Sequence, residues 1–154
     1  MNFLRSLAAL LLLAAPAAAQ TTGFPFVNDL TVNGFLSGST SCNFTNQTGN
    51  PLTFQITAAP NAPVLLIFDT YPCVANTIPL PPSMCYGMLI PQSFDLSLAP
   101  GAFLWTWPGA TNAAGFFTVT FPASSSPIRF SVQGLVIDPI CTPFLLTQAY
   151  QVSA

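Results

Sequence analysis

Hydrophobic and polar residues alternate along several short segments of the chain, with the period of two that is typical of β-strands with one buried face. In the segment LTFQIT, Leu52, Phe54 and Ile56 are predicted to point inward. The segments SFDLSL, GFFTVTF and IRFSV show the same alternation. Their predicted inward residues are Phe94, Leu96, Leu98, Phe117, Val119, Phe121, Ile128, Phe130 and Val132, and their predicted solvated residues include Ser93, Asp95, Arg129 and Ser131.

Other segments lack alternation but still indicate strands. PVLLIFD (Pro63–Asp69) and LVID (Leu135–Asp138) are apolar throughout, which predicts burial on both faces. Three more segments are predicted to be strands: FLWTWPG, PFLLTQAYQV and, with a weaker pattern, NDLTVNGF. Turn signals separate these segments, and Gly115 is predicted to close a hairpin between FLWTW and FFTVTF. The fold predicted for residues 28–154 is all-β, a single antiparallel β-sandwich of jelly-roll or Ig-like type with about eight strands.

The first twenty residues, MNFLRSLAALLLLAAPAAAQ, follow the pattern of a secretory signal peptide. Arg5 precedes an apolar run from Leu7 to Ala15, and small residues follow up to Ala19. We therefore predict a signal peptide over residues 1–19, cleavage near Ala19 and a loose N-terminal arm over residues 20–27. The mature chain is expected to be secreted, extracellular, periplasmic or at the cell surface, with no transmembrane segment.

Charge is nearly absent from the chain. It has two basic and four acidic residues, no His and a formal net charge of −2, which becomes −3 when Arg5 leaves with the signal peptide. Proteins that bind nucleic acid neutralise phosphates with Lys and Arg, so a nucleic-acid partner is not expected. A largely apolar surface is expected instead, and exposed apolar patches indicate protein partners or self-association.

The four cysteines predict two disulfides, because an even cysteine number in an exported chain indicates paired thiols. The favoured pairs are Cys73–Cys85, across a short Pro-rich loop, and Cys42–Cys141. The chain contains no CxxC pair and no His, so no metal site is expected.

Catalytic chemistry has few candidate residues here. The predicted mature chain lacks His, Lys and Glu, and its only carboxylates are Asp29, Asp69, Asp95 and Asp138. Each is predicted to have a turn, cap or solvated role, so no catalytic residue and no cofactor are assigned. An aspartate-pair glycosidase is the one enzyme class that these residues do not strictly exclude.

The aromatic residues Phe103, Trp105 and Trp107 fall on one face of FLWTW. Buried, they are ordinary core residues of a sandwich, which is the favoured interpretation. Exposed, they would form a stacking platform for sugar rings. Trp105 and Trp107 are therefore the candidate binding residues.

Three stretches carry a resemblance to a known family: PNAPVLLIF, TNAAGFFTVTFP and FSVQGLVIDP. From about Asn61 onward, the chain resembles a largely uncharacterised family of small secreted β-sandwich domains that is common in planctomycete-type bacteria. The resemblance implies export and a sandwich fold, but no activity. The chain departs from that pattern in YPCVANTIPLPPSMC (Tyr71–Cys85), where properties particular to this protein are expected.

These observations together predict a non-enzymatic secreted structural or interaction domain of the cell surface or of an extracellular assembly. A protein partner or a second copy of the chain would bind its apolar patches. The alternative is a carbohydrate-binding module that holds a glycan with exposed aromatic residues.

Overall fold

The computed structural model describes residues 29–36, 41–97, 99–101 and 104–154. The predicted signal peptide, the cleavage site near Ala19 and the predicted arm lie outside the described residues, as do Leu98 and Phe103. The described part of the chain contains strands and turns and no helix.

Eleven strands lie within the described ranges. In chain order they are β1 (Leu30–Val32), β2 (Asn43–Asn46), β3 (Leu52–Thr57), β4 (Pro63–Asp69), β5 (Ile78–Cys85), β6 (Met88–Phe94), β7 (Leu104–Ala110), β8 (Phe116–Phe121), β9 (Arg129–Val136), β10 (Cys141–Thr142) and β11 (Leu145–Ser153).

The strands form three sheets, in the orders β1-β3-β8, β2-β11-β9-β4-β7 and β10-β5-β6. Neighbouring strands are antiparallel except β2 and β11, which are parallel. The predicted all-β class is thus confirmed. The prediction of a single sandwich with about eight strands is wrong, because a third sheet is present.

The core lies between the β1-β3-β8 sheet and the five-stranded sheet. Phe54 on β3 is fully buried, and its ring contacts Phe68 on β4 at 5.5 Å and Phe121 on β8 at 5.9 Å between centroids. The inward direction predicted for Leu52, Phe54 and Ile56 is confirmed, since β3 alternates strictly between buried and half-buried positions.

Strand β4 has the bounds that its apolar run predicted, Pro63–Asp69. It lies between β9 and β7 in the five-stranded sheet, and its second half is covered on both faces, so Leu66 and Ile67 are both buried although they point in opposite directions, whereas Leu65 is half-buried.

The segments IRFSV and LVID both contribute to one strand, β9, which begins at Arg129 and ends at Val136, and Ile137 beyond its end is 54% exposed instead of buried. Ile128, predicted to be buried, is 44% exposed, whereas Ser131, predicted to be solvated, is fully buried.

Part of the outer face of the five-stranded sheet is covered by the end of β6 and the residues that follow it. Asp95 N donates a hydrogen bond of 3.0 Å to Gln133 Oε1, and Gln133 Nε2 donates one of 2.9 Å to Ser93 O. The prediction that Ser93 and Asp95 face water is therefore wrong, since both are fully buried. Their polar face meets polar atoms of β9 instead of solvent.

Both disulfides form, but their pairing differs from the prediction: Cys42 pairs with Cys73, and Cys85 pairs with Cys141. The segment 78–85 is a strand, not a loop, and an extended segment of that length spans roughly 20 Å, far beyond the ~7 Å limit between bridged Cα atoms. It carries Cys85 away from Cys73 and places it opposite Cys141 on β10, with 4.3 Å between their Cα atoms.

Gly115 adopts the positive φ that was predicted for it, +83°, but the hairpin predicted around it does not form. Strand β7 pairs with β4 and strand β8 pairs with β3, so the turn before Gly115 takes the chain from one sheet to the other. Gly115 N donates to Asn112 O at 2.9 Å within this turn.

Candidate functional site

All four aspartates considered as candidate acids are buried, with exposed fractions of 3% or less. Asp69 Oδ1 accepts a hydrogen bond of 2.9 Å from Tyr71 N, and Asp138 Oδ1 accepts one of 2.8 Å from Ile140 N. A carboxylate that binds the amide two residues further on stabilises a turn. The predicted turn roles of Asp69 and Asp138 are therefore confirmed.

Asp95 and Asp29 join distant parts of the chain. Asp95 Oδ1 accepts hydrogen bonds of 2.8 Å from Asn76 N and 2.5 Å from Ser93 Oγ. Asp29 N donates to Gln148 Oε1 at 3.2 Å, and Gln148 Nε2 donates to Asp29 Oδ2 at 3.4 Å. Asp95 therefore holds the segment before β5 to the end of β6. Asp29 holds the start of β1 to β11.

The candidate residues Trp105 and Trp107 lie on the inner face of β7, opposite Phe68 and Leu66 of β4. Trp105 is half-buried and stacks on Phe68, with 4.7 Å between ring centroids and 5° between planes. Trp107 is 44% exposed and meets Phe121 edge-on at 5.2 Å. Phe68 thus covers one face of Trp105, and Trp107 is the more exposed of the two indoles.

A cavity of about 170 Å³ opens at the end of the sandwich where β8 stops and β9 starts. Four aromatic rings line it, those of Phe54, Trp105, Phe121 and Phe130. Ile128, which is 44% exposed, lies at its rim together with residues of the 122–128 connection.

The β5–β6 hairpin projects a second apolar feature, which we call the hairpin surface: Met84 and Leu89 on one face, Tyr86 at the turn and Met88 on the opposite face beside the turn. Their exposed fractions are 48%, 64%, 54% and 51%. Met84 and Leu89 are directly opposite each other and point away from the protein, whereas Ser83 and Ile90, the next pair, are buried.

This hairpin forms although its first strand contains Pro79, Pro81 and Pro82. Proline has no N–H to donate to a neighbouring strand, so it is tolerated in a strand only at an edge or a bulge. The pairing of β5 with β6 shifts register between Leu80 and Ser83, which places Pro81 and Pro82 in the irregular region. The Cys85–Cys141 disulfide then joins the tip of the hairpin to β10.

Sequence reasoning missed the hairpin surface because the Pro-rich segment indicated a loop. The available signal was Tyr86-Gly87, whose φ angles of +49° and +76° are those of a two-residue turn with both central residues left-handed. Tyrosine is uncommon at such a position, so the signal was weak. The aromatic cavity was missed for another reason: its residues come from four strands, β3, β7, β8 and β9, that are distant in sequence.

Comparison with known proteins found no match among protein-family models, curated proteins or solved structures. The resemblance to a planctomycete-type family therefore stays a prediction. In the part of the chain that the structure describes, no helix is long and apolar enough to cross a membrane. Within the same residues, no three His, Cys, Asp or Glu side chains are grouped so that they could hold a metal ion.

Proposed function

We propose that this protein is an exported, non-enzymatic structural or interaction domain that associates through its hairpin surface. The observation that carries the proposal is the exposure of four large apolar side chains on one disulfide-linked hairpin. Exposed apolar patches of this kind usually mark sites of protein association.

Export is supported by the leader sequence and by the disulfides. All four cysteines are paired, and disulfides persist in oxidising compartments outside the cytosol. A cell-surface or extracellular assembly is the setting that fits such a domain.

A non-enzymatic role is supported by the positions of the carboxylates. General acid–base catalysis requires a titratable group within hydrogen-bonding reach of a substrate. All four aspartates are buried, and each makes hydrogen bonds that hold a turn or join two segments. This burial also disfavours the aspartate-pair glycosidase that the sequence left open.

The occupant that we assign to the hairpin surface is a second copy of this chain. No charged residue occurs between residues 70 and 94, so two identical surfaces approach without electrostatic repulsion. Strand β6 is the terminal strand of its sheet, and Pro91 at its centre has no N–H to donate to a further strand. Two copies related by a two-fold axis would therefore associate through side chains, with Leu89 of each copy at the interface.

Sedimentation of the mature protein over a range of concentrations tests this proposal. We expect a dimer that dissociates on dilution and that the Leu89→Lys substitution weakens at least tenfold, because two-fold symmetry brings both lysines into the interface. Ile128→Lys is the matched control, since Ile128 is 44% exposed and precedes β9, whereas the hairpin tip is joined through Cys141 to the chain that follows β9. A wild-type protein that remains monomeric at high concentration would contradict the proposal, as would equal effects of the two substitutions.

The second candidate function is glycan binding, which the 44% exposure of Trp107 favours. A sugar ring would stack on this indole at the edge of the sandwich. A glycan array probed with the wild-type protein and with the Trp107→Ala variant tests it: binding that disappears in the variant supports the candidate. An array without signal for the folded wild-type protein removes it.

A further inference from the structure

The aromatic cavity at the end of the sandwich has the features of a small-molecule site rather than of a packing gap. Gaps larger than a water molecule are few in a protein core, because interiors are packed as densely as organic crystals. This one holds about 170 Å³ between Phe54, Trp105, Phe121 and Phe130. Its rim reaches the surface at Ile128, so a molecule can enter without unfolding a strand.

The lining determines the chemical class of ligand. It includes no charged side chain. Arg129, the one cation outside the signal peptide, precedes Phe130 on β9 and therefore points to the opposite face of the sheet. A charged ligand would lose its hydration in the cavity without gaining a partner, so the ligand must be uncharged.

The volume determines the size of the ligand. A dry protein cavity of about 150 Å³ lined by Leu, Ile and Phe binds benzene. The aromatic cavity is of similar size, and its half-buried rings, those of Trp105 and Phe121, offer contact surface to another ring, whereas Phe54 and Phe130 are buried. Aromatic pairs gain about 0.5–1.5 kcal/mol beyond the burial of their area when they meet in offset or edge-to-face geometry.

We propose that this cavity binds one compact, uncharged aromatic ring, either as a free molecule or as the end group of a larger one. The site is separate from the hairpin surface, and neither proposal depends on the other. Trp105 contributes to the lining and therefore reports binding through its fluorescence.

The test uses toluene as the probe and the Trp107→Phe variant of the mature protein, in which Trp105 is the single tryptophan that remains. We expect a saturable change in Trp105 fluorescence on titration with toluene and none with benzoate, which has the same ring and a negative charge. The absence of a saturable change up to the solubility of toluene would overturn the proposal, and so would equal binding of benzoate.

Two further substitutions in the same background locate the site. Leu52 lines the cavity and is 5% exposed, so Leu52→Phe places extra volume inside it and is expected to weaken toluene binding at least tenfold. The same change should leave the melting temperature unchanged or higher, whereas in a filled core it would be destabilising. The control is Ile137→Phe, in an apolar groove on the outer face of the five-stranded sheet. Loss of binding in this control instead of in Leu52→Phe would place the ligand in that groove and overturn the proposal.

Discussion

Replacing Gln133 by leucine tests whether its hydrogen bonds hold the β10-β5-β6 sheet, the third layer of the fold, to the five-stranded sheet. Gln133 is fully buried on the outer face of the five-stranded sheet. Its Oε1 accepts from Asp95 N at 3.0 Å, and its Nε2 donates to Ser93 O at 2.9 Å and to Thr147 O at 3.0 Å. One side chain thus joins the end of β6 to the irregular part of β11, where the register with β9 shifts.

The magnitude follows from these three hydrogen bonds. Leucine has a similar volume but no polar atom, so the substitution leaves one buried N–H and two buried carbonyl groups without this partner. A buried polar group that loses its partner costs about 1–3 kcal/mol. The leucine side chain recovers part of that loss by burial of apolar area, so we expect a net loss of about 4 kcal/mol in the free energy of unfolding.

Urea unfolding with both disulfides intact, followed by tryptophan fluorescence, measures this loss. With a urea dependence of about 1–3 kcal/mol per molar for a chain of this size, the midpoint should fall by roughly 1–4 M. Gln55→Leu is the matched control, since Gln55 is a half-buried glutamine on the wet face of β3. The control should change the free energy by less than about 0.5 kcal/mol.

Two results would refute the reasoning. If Gln133→Leu and Gln55→Leu shift the midpoint equally, the hydrogen bonds of Gln133 do not hold the layer. If Gln133→Leu leaves stability within about 0.5 kcal/mol of the wild type, leucine burial balances all three hydrogen bonds and the third layer is held by apolar contacts.

Two further predictions concern a turn and a disulfide. Gly115→Ala should lower the free energy of unfolding by about 3 kcal/mol, because its backbone is left-handed at φ +83° and a Cβ would lie 2.4 Å from Ala58 O. Gly87→Ala, with φ +76° and open space around it, should lower it by only about 1 kcal/mol, so equal midpoints of urea unfolding would contradict this account. Replacing Cys85 and Cys141 together by alanine should lower stability by about 4 kcal/mol, given their separation of 56 residues. Peptide mapping without reduction should recover this pair linked, and a peptide that links Cys85 to any other cysteine would show the pairing to be wrong.

Much of the secondary structure could be predicted from short segments alone. The alternation in LTFQIT predicted which side chains of β3 are buried, and the apolar run from Pro63 to Asp69 predicted both ends of β4. These predictions succeed because successive side chains of a strand point to opposite faces, whatever the strand pairs with.

Alternation could not predict what each face of a strand meets. SFDLSL alternates as clearly as LTFQIT, yet Ser93 and Asp95 are buried beside Gln133. A polar residue is excluded from the core only when it lacks a hydrogen-bonding partner. The partner here is a glutamine about forty residues further along the chain, and no local pattern identifies it.

The candidate sites show the same limit. Trp105 and Trp107 were recognisable as a pair on one face, but their pairing with β4 decided that one stacks on Phe68 and the other reaches the surface. The hairpin surface was hidden because three prolines indicated a loop, and the register shift in the β5–β6 pairing accommodates two of them, Pro81 and Pro82.

The sequence by itself determined that the chain is all-β, that its cysteines pair, and which side chains of β3 are buried, because these properties depend on residue types and on the geometry of single strands. The tertiary structure decided which cysteines meet, which sheet each strand joins, and that Asp95 lies inside the protein. These outcomes depend on contacts between segments that are far apart in the chain. Such contacts form only when the strands are arranged in their sheets, so no short segment specifies them.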